Sequence, residues 1–248
     1  MIETIKKNKW RIVGVCVVAI VLLVALSWGK KQTPRSVLCN AIEYDFRDGT
    51  QRMYVDEGEL NRLLDKELLY PVEKPLSTVA LYRMEQIISH HPMIRKAECF
   101  LTPKNIVRVQ ITQRVPLLRV QKQGEIYFID TERHKMEMRA SITDKVLIVQ
   151  GAVSEELAST ELADFAKWLK TNKYWRERVK YVDMKTPKMM HIYLNDPQQP
   201  RIIVGEIDGF KTKLAKLRTF FDNGAEATQD KHYTELDLRF KDQVIGRK

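Results

Sequence analysis

Serines, cysteines, histidines and carboxylates are the groups in this chain that could carry covalent or acid–base chemistry, and their spacing assembles no convergent site. None of Ser27, Ser36, Ser77, Ser89, Ser141, Ser154 or Ser159 lies in a Gly-x-Ser-x-Gly elbow, the strained turn that presents a serine nucleophile. Ser77 reads instead as a helix cap. Cys39 and Cys99 carry no accompanying Cys-His signature, and His90-His91 has no Cys or His at ligand spacing, so no metal site is expected. With ten glycines in all, the chain has no Gly-rich phosphate loop. The pairs Asp56 with Glu59 and Glu155 with Glu156 stand at helix starts, where negative charge complements the helix dipole. The expectation is a chain without catalytic residues, metal or cofactor. A membrane-tethered hydrolase is the enzyme-class rival, and a nonspecific wall-degradation assay separates it.

Recognition chemistry is more legible. From Tyr233 to Phe240, Leu236, Leu238 and Phe240 alternate with Glu235, Asp237 and Arg239, the pattern of a strand with one dry and one wet face. The terminal strand of a domain is a natural sheet edge, whose unpaired N–H and C=O groups can accept a strand from another chain. On that reading Tyr233, Glu235, Asp237, Arg239, Phe240 and Lys241 receive a partner. The charges select it electrostatically, and Phe240 adds a side-chain anchor.

The elements that would position this strand begin at a membrane. Ile12 to Ser27 holds no charged residue. As a helix, Trp10 to Trp28 would span roughly 27 Å, close to a bilayer's hydrocarbon thickness of about 30 Å. Trp10 and Trp28 fall where amphipathic rings prefer to sit, at the two interfaces. The run reads as an uncleaved anchor in preference to a signal peptide, because Ala25-Leu26-Ser27 is followed by Trp28 and two lysines. The formal charge is +10, but residues 1–35 hold seven Lys/Arg against one Glu, leaving 35 basic and 31 acidic residues beyond them. The excess flanks the membrane, so nucleic acid is not an expected partner. The expected layout is a cytoplasmic tail (1–11), a transmembrane helix (12–28), a tether (29–36) and two extracytoplasmic domains (37–114 and 115–248). Cys39 and Cys99 would lie in an oxidising compartment, where a bridge between them is open.

The first domain reads strand-helix-helix-strand-strand. A strand-like stretch, Val37 to Phe46, precedes a helix opened by a capping box, Asp56 with Glu59 reaching back, and carrying Leu60, Leu63, Leu64 and Leu68. Ser77-Thr78 opens a second helix, which Pro92 ends. Met93 to Leu101 and Ile106 to Gln113 follow as strands around Pro103-Lys104-Asn105. The second domain is strand-rich. It includes one helix from Thr160, with Leu162, Phe165, Ala166 and Leu169 inward, and another carrying Phe210, Leu214, Leu217 and Phe221. Strands Met189 to Leu194 and Arg201 to Val204 pair around Asn195-Asp196-Pro197. Trp168, Tyr174 and Trp175 read as packed under the following segment in preference to an exposed patch. The fold class is α+β.

This order resembles the FtsQ/DivIB bacterial cell-division proteins. The resemblance rests on His91-Pro92-Met93-Ile94, Ala97, Leu101-Thr102-Pro103 and the strand Val107 to Thr112 running into Gln113-Arg114-Val115-Pro116. Further on it rests on Tyr127-Phe128-Ile129-Asp130, on Gly205 with Lys211 and Lys213, and on Tyr233 to Phe240. Gln113 stands where the family pattern has Glu, no Gly follows Asp130 within the expected turn, where Glu132, Arg133 and His134 stand instead, and no Pro precedes Gly151 in the Val146–Gly151 stretch. The resemblance implies a POTRA domain (β-α-α-β-β) followed by a so-called β domain with a C-terminal edge strand. It also implies a single-pass, inner-membrane scaffold without catalysis that recruits FtsB/FtsL-like partners and, through them, septal wall synthases. A POTRA-bearing secretion or envelope-assembly component is the alternative. A transmembrane barrel does not fit the remaining residues with their two amphipathic helices.

Overall fold

The computed structural model describes residues 37–47, 54–142, 145–224 and 233–248. The expected span with Trp10 and Trp28, and the tether, lie outside the described residues. Among the described residues, no helix is long and apolar enough to cross a membrane.

The first module is a three-stranded sheet under two helices. Strands β1 (Ala41–Phe46), β2 (Ile94–Leu101) and β3 (Ile106–Gln113) take the order β1-β3-β2, with β1 parallel and β2 antiparallel to β3. Helix α1 (Glu57–Lys66) starts where Asp56 accepts a hydrogen bond from the Glu59 N–H at 2.7 Å. The reciprocal half of the capping box does not form. The Glu59 carboxylate faces the other way, accepting two bonds from Arg139 at 2.8 and 2.9 Å and lying 3.1 Å from His91 Nε2. A guanidinium fork offers a carboxylate two charge-assisted bonds, more than a single backbone N–H can. Leu60 and Leu64 are buried, while Leu68, past the helix end in a left-handed turn (φ 59), is exposed. Helix α2 (Leu81–Ser89) buries Met84 and Ile88. It begins after a separate 3-10 turn, Leu76–Thr78, and Ser77 caps neither element. Cys39 and Cys99 are both buried free thiols, so no disulfide joins them. Burial and Glu85 push the Cys99 thiol up to about 12, which keeps it protonated and unreactive.

The second module is a mixed nine-stranded sheet with helices on one face. Its strands are β4 (Pro116–Lys122), β5 (Glu125–Asp130), β6 (Lys135–Glu137), β7 (Leu147–Gly151), β8 (Val179–Thr186), β9 (Met189–Leu194), β10 (Arg201–Gly205), β11 (Glu235–Asp237) and β12 (Ile245–Arg247). Their order is β12-β11-β10-β9-β8-β7-β4-β5-β6. Helices α3 (Glu155–Ser159), α4 (Glu161–Thr171), α5 (Lys173–Arg176) and α6 (Phe210–Gly224) cover the face carrying Leu118, Val149, Val182, Ile192, Ile202 and Leu236. The inward set expected for the helix after Thr160 is buried in full, and Trp175 lies under the helix layer.

The two modules share a core. Phe128 on β5, Met136 on β6 and Ile142 are buried among the first module's residues and not the second's. Polar pairs surround that contact: Glu59 with Arg139, Arg95 with Glu132 at 2.9 Å, and Arg114 with the buried Asp130 at 2.8 Å. Gln113, in the position where the family pattern has Glu, is buried and accepts from the Tyr54 N–H at 2.7 Å. A neutral amide meets that need without burying a charge.

Candidate partner interface

Register places the charged face of the terminal segment. Arg201 on β10 is level with Glu235 on β11, which is level with Arg247 on β12, and Asp237 is level with Ile245. These side chains occupy the sheet face away from the helices, because Ile202 and Leu236 between them point into the helix-covered core.

The terminal strand is shorter than its alternation suggests and is not an edge. β11 covers Glu235–Asp237 and is paired on both sides, parallel to β10 and antiparallel to β12. The edge is β12, the returning tail. Three of the expected outward charges are likewise tied down. Asp237 is fully buried, and Arg239 forks onto it at 2.6 and 2.9 Å, with Arg247 at 3.8 Å. Glu235 is engaged by Arg201 and, at 3.7 Å, by Arg247. The stem of Arg239 lies across Gly205, where a Cβ would meet its Cγ at 2.8 Å, so the close approach requires glycine. Leu238 is core, whereas Phe240 is 45% exposed and Lys241 extends into solvent, which leaves Phe240 available as an anchor. Tyr233 packs inward, its ring lying against Gly246 and near Phe220.

Lys216 on α6 fixes the bend between β11 and β12. Its ammonium donates to the carbonyls of Leu238 at 3.2 Å, Phe240 and Lys241 at 3.4 Å. Burial lowers its pKa, and Asp242 opposes that shift. Neither Lys216 nor β12 was legible in sequence. A lysine on an amphipathic helix reads as solvated, and three residues are too few to show alternation. Nearby, burial first, then Arg201 and Lys185, hold the His191 imidazole below its ordinary range. His191 Nδ1 and Arg201 Nε are buried without a hydrogen-bond partner among the described residues.

The Asp237 carboxyl is held below the usual carboxylate range, first by its bonds from Arg239, with burial opposing. A carboxyl lowered in the folded state stabilises fully above the unfolded value of about 3.9, and that contribution is lost as pH falls through the folded value. Asp237→Asn should therefore lower the melting temperature at neutral pH and flatten its decline below about pH 4. Melting curves across acid pH, superimposable in slope for both proteins, would remove Asp237 from the acid response.

Asp130, Glu132 and His134 bring ligand atoms within 4.8 Å of one another. Asp130 Oδ1 already accepts from the backbone N–H groups of Glu132 and His134 at 2.8 Å, and Oδ2 accepts from Arg114. The cluster is an aspartate-closed turn that replaces the missing glycine. The geometry offers strand pairing at β12, an exposed aromatic at Phe240 and fixed cations beside them, which is equipment for binding a chain.

Comparison with known proteins adds two family models. One described as FtsQ/DivIB, C-terminal related, matches residues 115–247, and one described as a POTRA-like domain matches residues 37–112. The chain is similar to the cell division protein FtsQ of Koribacter versatilis (strain Ellin345), 23% identical over 206 residues, which are 77% of this chain and 56% of that protein. The chain thus spans little more than half the length of the curated relative it matches.

Proposed function

The chain belongs to the FtsQ/DivIB family, and from that premise we propose that it is a non-catalytic, single-pass scaffold of the bacterial divisome. In this reading residues 1–11 are cytoplasmic, residues 12–28 with Trp10 and Trp28 anchor the chain, and the POTRA and β domains stand outside the cytoplasm at the septum. The partners are FtsB/FtsL-like proteins and, through them, septal wall synthases. The observation that carries the reading is the outer side of β12, at the end of the nine-stranded sheet and unpaired among the described residues, beside exposed Phe240 and Lys241. An incoming strand gains main-chain hydrogen bonds there, and Phe240 supplies an anchor of the type enriched in interface centres.

The full-length chain, tagged and solubilised from membranes of its own organism, should retain FtsB/FtsL-like proteins, and its depletion should give unseptated filaments. A reporter fused after Lys248 should work only if it is active outside the cytoplasm. Normal septation in depleted cells would refute the divisome role, and a cytoplasmic reporter signal would refute the topology.

A further inference from the structure

The helix layer carries a second surface, remote from the β12 edge. Between α4 and the start of α6 runs an open groove of about 570 Å³, lined by Asp164, Lys167, Trp168, Thr171, Phe210 and Lys211. Its floor is aromatic and fixed. Phe210 meets Phe165 edge-on at 5.1 Å and Trp168 at 5.3 Å, while Trp168 and Phe210 each remain only partly buried. Beyond the end of α4, Tyr174 on the short α5 holds two guanidiniums against its ring, Arg178 from the following turn at 3.8 Å and Arg218 from α6 at 4.7 Å. Such stacking orients a guanidinium while leaving N–H groups for a carboxylate.

The charges around this groove do not balance. The groove's own carboxylate is already answered, Asp164 by Arg133 at 2.7 Å, as are Asp222 by Arg218 at 3.3 Å and Glu177 by Arg176 at 2.9 Å, while Glu161, a turn before Asp164, bonds the Thr160 hydroxyl. Lys167, Lys170, Lys173 and Lys211 have no carboxylate partner among the described residues. Elsewhere a surface lysine such as Lys135 meets two, Glu125 and Glu155. Unanswered cations over an aromatic floor complement carboxylates flanking an apolar stripe. The concave shape between two helices admits the side chains of a third helix, which the flat headgroup plane of a bilayer does not match.

We propose that the α4–α6 groove docks an acidic amphipathic helix of a partner protein. Its apolar side chains rest on Trp168 and Phe210, and its carboxylates meet Lys167, Lys211 and the Tyr174-held arginines. The opposite flank of α6 faces the terminal strands, through Lys216 to Leu238 and Phe220 to Tyr233 at 6.4 Å. The groove and the β12 edge can therefore be occupied at once.

The test uses the full chain in phosphatidylcholine nanodiscs and a fluorescent helical peptide with one leucine face and one glutamate face. Binding should weaken with salt and fall about tenfold in the Lys167→Glu, Lys211→Glu double variant, whose ammonium groups have no carboxylate partner among the described residues and whose melting should be unchanged. A peptide with lysine in place of glutamate should prefer that double variant over the wild type. Trp168→Ala should weaken binding of the glutamate peptide, and capture of FtsB/FtsL-like proteins at β12 should be unaltered in every variant. Affinity for the glutamate peptide unchanged by the double reversal overturns the proposal. So does binding to phosphatidylglycerol vesicles alone, which would make the face a lipid contact.

Discussion

Phe128→Asp should unfold both modules together, although Phe128 sits on a strand of only one of them. Its ring is 2% exposed and belongs to the first module's core, alongside Met136 and Ile142 and among Leu60, Met84, Ile88 and Ile111. Truncating a buried phenylalanine costs about 3–5 kcal/mol, and an unpaired buried carboxylate adds several more. Typical domain stability is about 5–15 kcal/mol, so the sum reaches the whole of it. Because β5 lies between β4 and β6 at the end of the second sheet that meets the first module, its displacement also removes the surface on which the first module rests. Calorimetry of the wild type should show one cooperative transition, and Phe128→Asp should abolish it at neutral pH. A variant retaining the transition of either module would show that the shared core does not couple them. By the same reasoning residues 37–114 alone would leave an apolar face bare where Phe128 and Met136 now pack.

The shared core marks the limit of what the sequence could reveal. Element types were legible wherever periodicity ran long. The alternation of Val107, Val109 and Ile111, the spacing of Leu60 with Leu64, and the stripe from Leu162 to Leu169 all end up buried as their patterns require. Phe128 was readable as strand and as apolar. Which core it enters depends on which face of the second sheet the first module covers, and alternation carries no such information. The charged terminal face shows the same gap from the other side. Asp237 looked solvated because alternating strands in antiparallel sheets commonly have a wet face, yet three arginines, Arg201, Arg239 and Arg247, converge on Glu235 and Asp237 there. Arg201 and Arg247 come from neighbouring strands brought level by register, which no local pattern encodes, and Arg239 folds back from two residues on. Gln113 and Glu59 depart from sequence patterns for a similar reason. Each bonds a group distant in sequence: Gln113 the backbone of Tyr54, and Glu59 the guanidinium of Arg139.

Locating the edge at β12 also changes which variant tests partner binding. Truncation after Asp230 removes Leu236 and Leu238, both core residues, and reversing Arg239 sets two acids against each other over the buried Asp237, so either change damages the fold as well as the surface. Gly246→Ala acts on the edge alone. A Cβ at position 246 would stand 2.3 Å from Cε1 of Tyr233 and 2.4 Å from its Cδ1, far inside contact distance, so either the ring or β12 must move. β12 is three residues long and, among the described residues, has no strand on its outer side, whereas Tyr233 packs against the helix-side core, so β12 is the element that yields. Its displacement also releases Arg247 from Glu235 and Asp237. Capture of an FtsB/FtsL-like partner should fall at least about tenfold, a loss of about 1.4 kcal/mol, while Leu236 and Leu238 keep the melting temperature near that of the wild type. Adding Tyr233→Ala should reopen the space and restore capture, which a general loss of folding would not allow. Wild-type capture by Gly246→Ala with β12 demonstrably displaced would move the docking surface away from this edge.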